Sequence, residues 1–224
     1  KIEGLQIVET FHRDRTVYGI DCQRCHGPAA EHGEDHTAHP QDKQPRHMTR
    51  IRALSNQQRL DHCALCHSGL SSLQQGLFSF KPGDDLSDYY FPQIGGITKA
   101  TALDVHGNQY QLLTASKCYM ESKEMICSNC HNPHVSEAGN MQAFSQRCIT
   151  CHQAGSVAFC KLKSLPVATL SHNCIDCHMP ALPSNIITLL TNGAANPTPD
   201  SVRTHLIAIY PEQTEKILAM MKKQ

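Results

Sequence analysis

The chain has 224 residues, and its 20 Lys plus Arg balance its 20 Asp plus Glu, so the polypeptide has no basic footprint for nucleic acid. Only 5% of residues are aromatic and tryptophan is absent, so a core for one or two domains of this length lacks its usual bulky side chains. No run is long and apolar enough to span a membrane; "NIITLLTNGAA" is too short and stops at Asn192-Gly193.

Cysteine and histidine are the departures from ordinary composition, at 12 and 15 residues. In chain order, "CQRCHGPAAEHGEDHTAHP" holds Cys22, Cys25 and His26 as CxxCH, followed by His32, His36 and His39. "SNQQRLDHCALCH" predicts a helix capped by Ser55 or Asn56, ending before Gly69 and carrying Cys63, Cys66 and His67. Residues 69 to 110 are rich in Pro, Gly and Asp and read as loop, wrapping the body or covering a pocket. That stretch includes His106 in "DVHGNQ". "CSNCHNPH" holds Cys127, Cys130 and His131, with His134 three residues on. "NMQAFSQRCITCH" predicts a helix from Asn140 that carries Cys148, Cys151 and His152. "SHNCIDCHMP" predicts another from Ser171 to Pro180, with Cys174, Cys177 and His178. Beyond it come His205 in "RTHLIAIY" and an amphipathic helix opened by Pro211, with Ile217, Leu218 and Met221 on its packing face.

Five CxxCH copies stand against about 0.04 expected by chance from these Cys and His frequencies. The spacing is that of c-type haem attachment. Two thiols add to the haem vinyl groups, and the adjacent histidine supplies an axial ligand to the iron. On a helix, cysteines at i and i+3 and a histidine at i+4 share one face. Zinc sites also use CxxC, but draw their second ligand pair from a distant CxxC or HxxxH. A disulfide redox motif leaves the histidine unexplained. The expected cofactor is therefore haem c, five per chain. Each haem adds two propionates and, when ferric, one net positive iron centre, shifting the charge by about −5 in all and favouring basic partner surfaces.

The gaps of 36, 59, 16 and 21 residues between successive motifs leave no room for separate domains around the last three. The expected fold is mainly α with extensive loops and little or no β-sheet, with haems forming much of the core. The expected domain is a single pentahaem unit over 1–224, or the C-terminal part of a longer multihaem protein. Apoprotein is expected to be largely unfolded.

Ten histidines remain beyond the five in the motifs, twice the number needed to close every iron. One helical turn advances about 5.4 Å, so His134 cannot reach around the ring held by His131 and would serve a neighbouring haem; the same holds for His32 and His26. The candidate distal ligands are His32, His39, His106, His134 and His205, beside the proximal His26, His67, His131, His152 and His178. His12, His36, His47, His62 and His172 are expected at the surface or behind the ligands, though any of them could displace His39. The methionines read as packing residues, so the haems are expected to be bis-histidine and low in potential. Cys118 and Cys160 lie outside the motifs, and a disulfide between them is expected in an oxidising compartment.

From about Tyr18 to Tyr210, the ordered phrases "GIDCQRCHGPAAEH", "LDHCALCHSG", "DVHGNQ", "CSNCHNPH", "CITCH" and "CIDCHMPA" resemble multihaem c-type cytochromes related to the cytochrome c-554 family. The resemblance implies exported, periplasmic or extracellular electron carriers with stacked and perpendicular haem pairs. It favours His32 and His134 as distal ligands through the CHGPxxxH and CHxxH phrases. It also implies a leader before Lys1, or further upstream motifs. The prototype has four haems, whereas this chain has five motifs. The leading function is electron transfer to other redox proteins. One alternative is a subunit of an extracellular conducting filament built from copies of the same chain. The other is a multihaem oxidoreductase acting on small nitrogen compounds at an open haem, against which the chain has no CxxCK.

Overall fold

The computed structural model describes residues 2–8, 10–16, 19–69, 74–76, 79–90, 99–122, 124–191 and 193–221. The chain forms two compact units, Lys1–Ile51 and Arg52–Gln224.

In the first unit, β1 (Ile2–Glu3) pairs antiparallel with β2 (Gln6–Ile7). The helix α1 (Cys22–His26) is the first CxxCH itself, capped by the Asp21 carboxylate, which accepts from Gln23 N at 3.0 Å. Gly27 ends it at φ 79°, a conformation an L side chain rarely adopts. Next comes α2 (Ala30–Ala38), which carries His32 and His36.

The second unit opens with α3 (Asn56–His67), started by a complete capping box between Ser55 and Gln58. Then follow α4 (Gln109–Thr114), α5 (Lys117–Ser122), α6 (Met141–Ile149), α7 (Val167–His172) and α8 (Ile175–His178). An antiparallel hairpin of β3 (Ala181–Leu189) and β4 (Thr198–Arg203) has a register irregularity between Pro183 and Thr188. The chain then enters α9 (Pro211–Met221), which packs on α8, with Ile217, Leu218 and Met221 half-buried. The protein is mainly helical with little sheet, and among the described residues no helix is long and apolar enough to cross a membrane.

The Asn140 cap is formed as expected, its side chain accepting from Ala143 N at 3.1 Å. The single helix expected from Ser171 to Pro180 is instead two, α7 and α8. Asn173 breaks it: its Oδ1 accepts from Asp176 N at 3.3 Å and its Nδ2 donates to Asp176 at 2.9 Å. A short polar side chain here competes with the helical backbone for hydrogen bonds.

The main apolar cluster is Ala64, Leu65, Phe80, Leu86 and Tyr90, with Tyr89 and Tyr110 against it. Three of its five buried members come from the segment read as loop. That reading follows Pro, Gly and Asp punctuation and overlooks the aromatic residues between them. Phe80 and Tyr89 meet edge to face at 5.4 Å, and Tyr90 donates its hydroxyl to the Leu65 carbonyl at 3.2 Å. Asp61, 3% exposed, accepts from Gln57 Nε2 at 2.7 Å and Leu86 N at 3.2 Å, tying the segment to α3. Burial pushes its carboxyl above the usual range despite those bonds. Gly69, just past the second motif, leaves room for the Asn108 side chain: a Cβ there would lie 1.9 Å from Asn108 Oδ1, so that side chain would have to move.

Eleven apolar side chains are buried among the described residues, few for this length.

Candidate haem-binding sites

All five CxxCH segments form a helical turn. In α1 and α3 the motif is part of the helix. In the other three, the amide of His131, His152 or His178 donates to the carbonyl of the first cysteine at 2.9, 2.9 and 3.0 Å. The first cysteine and the histidine are thus i,i+4 neighbours on one face in every copy.

Three motif histidines have their tautomer set from behind. Nδ1 of His26 donates to the Thr49 carbonyl at 3.0 Å, that of His152 to Ala158 at 2.6 Å and that of His178 to Ala208 at 2.8 Å. A carbonyl only accepts, so Nδ1 carries the hydrogen and Nε2 the lone pair. Two of these contacts are reciprocal: Thr49 N donates to the His26 carbonyl at 2.8 Å, and Ala208 N to the His178 carbonyl at 3.2 Å. The rings of His26 and His178 are therefore held by backbone far off in sequence and that of His152 by the loop just after it, the usual support of a metal-binding imidazole.

The motifs of the second unit come together through their first cysteines. The Cys63 and Cys127 thiols hydrogen-bond, pushing Cys63 up and Cys127 down. The Cys148 and Cys174 thiols do the same, with Cys148 pushed up and Cys174 lowered. Motifs two and three thus form one pair, and motifs four and five another.

A charged clip joins motif three to motif four. Arg147, the residue before Cys148, donates Nη1 to the Cys130 carbonyl at 2.6 Å and to Glu137 at 3.0 Å, and its Nη2 also pairs with Glu137. Asn132 N donates to the same carboxylate at 2.9 Å. The Arg147 hydrogen bonds, then the Asn132 amide, hold the Glu137 carboxyl down at about 2. A depressed folded value contributes stability that is complete above the usual 4.5 and is lost as pH falls towards 2. Acid unfolding followed by circular dichroism should therefore be less steep between pH 4.5 and 2 in Glu137→Gln than in the parent. Equal slopes would show that the clip contributes nothing.

Of the expected distal ligands, His205 is brought against a motif ring. Its ring lies 6.1 Å from that of His131, centroid to centroid, with 27° between the planes. Burial, then the neighbouring His131, pushes its pKa down to about 4 and keeps the imidazole neutral. Phe144 packs on His131 at 5.2 Å, with the Arg147 guanidinium over its other neighbourhood at 5.4 Å.

The other expected ligands lie elsewhere. His32 is half-buried and donates Nδ1 to the Arg46 carbonyl at 2.7 Å. His39 ends α2 with its side chain 67% exposed and Nδ1 3.2 Å from Asp35 of the same helix. His106 is exposed and lines a cleft of about 410 Å³ with Gly69, Asn108, Asn185 and Ile186. His134 is exposed, its amide donating to Asn132 Oδ1 at 3.0 Å. His36 donates through Nε2, to the Gln44 carbonyl at 3.1 Å, which fits a supporting role.

Two residues outside the expected ligand set also stand beside the motifs. His62 donates Nδ1 to the Gln58 carbonyl at 2.6 Å and turns Nε2 into the protein without a partner. Its signal is its place beside Cys63 on a capped helix. Met48 lines a cleft of about 430 Å³ with His26, Pro28, Glu31 and His47, where the methionines had been read as packing residues.

The expected disulfide is not formed: Cys118 and Cys160 are both free thiols. Cys118 is within electrostatic reach of Cys151, and burial raises its pKa. Cys160 is exposed and lies within reach of Cys177 instead.

The donor set fits a covalently attached haem: paired thiols one turn apart, and imidazoles whose Nε2 holds the lone pair. Among the described residues, no group of three or more His, Cys, Asp or Glu could hold a bare metal ion. No family model, no curated protein and no solved structure matches the chain.

Proposed function

We propose that this chain is a multihaem c-type cytochrome. Within that class, we read it as a pentahaem electron carrier of the periplasm or cell exterior, resembling the cytochrome c-554 family. The observation that carries the reading is the fivefold helical CxxCH turn, with the imidazole anchored through Nδ1 in three of the five. The small apolar core supports it, since haem faces would supply apolar surface that few buried side chains provide.

Cys22, Cys25 and His26 would hold the first haem, and the corresponding residues of the other motifs the remaining four. Each haem, when bound, supplies a one-electron iron couple. The protein's own residues attach the ring, orient the imidazole and exclude water. The thiol contacts between motifs two and three, and between four and five, would set haem edges close together. Electrons would then pass to other redox proteins or further copies of the chain.

Mass spectrometry and electron paramagnetic resonance of the oxidised holoprotein test this. Five thioether-linked haems per chain, all low-spin, are expected. A chain with no covalent haem would overturn the reading. One stoichiometric high-spin iron would replace the carrier by an oxidoreductase for small nitrogen compounds. Polymers seen by electron microscopy would assign the carrier to a filament.

A further inference from the structure

We infer that His131 and His205 are the two axial ligands of a single iron, that of the haem on Cys127 and Cys130. The inference rests on the haem reading above and deepens it, because sequence spacing leaves open which spare histidine serves which haem.

The argument is one of lengths. A metal–imidazole bond is about 2.0 Å, and an imidazole nitrogen lies about 1.15 Å from its ring centre for bonds near 1.35 Å. Two imidazoles on opposite sides of one iron therefore have centroids about 6.3 Å apart. The observed separation is 6.1 Å, with 27° between the planes. Packed aromatic rings span about 4.5–7 Å between centroids, so the distance by itself also fits plain ring packing. The separation matches the span of two metal–imidazole bonds, and the backbone beneath both rings holds it there.

The backbone under each ring is fixed, so the separation is built in. His131 N is held by the Cys127 carbonyl at 2.9 Å. The His205 carbonyl accepts from the Ser116 hydroxyl at 3.0 Å, and the Ser116 hydroxyl oxygen in turn accepts from Ile207 N at 2.8 Å. Ser116 is 1% exposed. Thr204 N donates to the Pro180 carbonyl at 3.1 Å. A segment 74 residues beyond His131 in sequence (205 − 131) is thus carried back over the third motif. The His178–Ala208 pair of hydrogen bonds pins it to the fifth motif as well. The consequence is functional: the third haem is closed to substrates and works only in electron transfer.

The test uses the haem-loaded protein and two truncations that leave every thioether in place. His131→Ala and His205→Ala should each convert one of the five irons to high-spin, read by electron paramagnetic resonance. If the two share an iron, the double variant also shows one high-spin iron, and added imidazole returns it to low-spin. Two high-spin irons in the double variant would place His205 on another haem. A His205→Ala protein that stays fully low-spin would show that His205 is no ligand. Either result overturns the inference while leaving the pentahaem reading intact, and only a parent without covalent haem removes that reading. Should truncation impair loading, His205→Met keeps a ligand and asks the same question. One methionine-ligated low-spin haem is expected, and adding His131→Ala should alter that haem and no second one.

Discussion

Produced without haem attachment, the chain should show no cooperative urea transition and little near-ultraviolet circular dichroism, while the haem-loaded protein unfolds in a cooperative step. The reason is the small apolar core. Its main apolar cluster has five buried members, and the motif turns in α1 and α8 are 5 and 4 residues long. Helices this short do not persist in water without packing partners. Folding and cofactor attachment are then one event, as in small metal-dependent domains. The comparison is between parent holoprotein and a variant with all ten motif cysteines replaced by alanine. A cooperative transition in that variant, with a slope matching the full chain length, would show that the polypeptide folds by itself.

Asp104→Ala should cost about 3 kcal/mol, because three donors lose their acceptor at about 1 kcal/mol or more each. Asp104, buried in the second unit, accepts from His106 N at 2.8 Å, Ser184 Oγ at 2.8 Å and Asn185 N. Burial alone would raise its carboxyl, but the Asn185, His106 and Ser184 bonds outweigh it and hold the pKa below the usual range. The carboxylate thus fixes the turn that carries His106 to the irregular part of β3. Ser184 Oγ in turn accepts from Ile186 N at 3.1 Å and Ile187 N at 2.8 Å, shaping that irregularity. Asp104→Asn keeps one acceptor oxygen and should lose roughly half as much. Urea midpoints of the holoproteins measure both. A loss under about 0.5 kcal/mol in Asp104→Ala, the range of ordinary surface changes, would mean the network is dispensable.

Short-range structure was legible because its hydrogen bonds are local. CxxCH predicts a helical turn, and a turn forms at all five motifs. The capping residues Ser55 and Asn140 start the helices they announce, because a cap satisfies amides two or three residues ahead. Pro211 likewise opens α9. Where a local competitor went unweighed, as with Asn173, one expected helix became two.

The amino-acid sequence by itself determined the number and chemistry of the attachment turns, because each is closed by bonds between residues no more than four apart. The tertiary structure alone decided which motifs pair through their cysteines, that no disulfide joins Cys118 to Cys160, and that His205 faces His131. It also made Phe80, Leu86 and Tyr90 core residues. Those outcomes join residues tens of positions apart, and such closures depend on how the intervening chain packs, which local spacing does not encode.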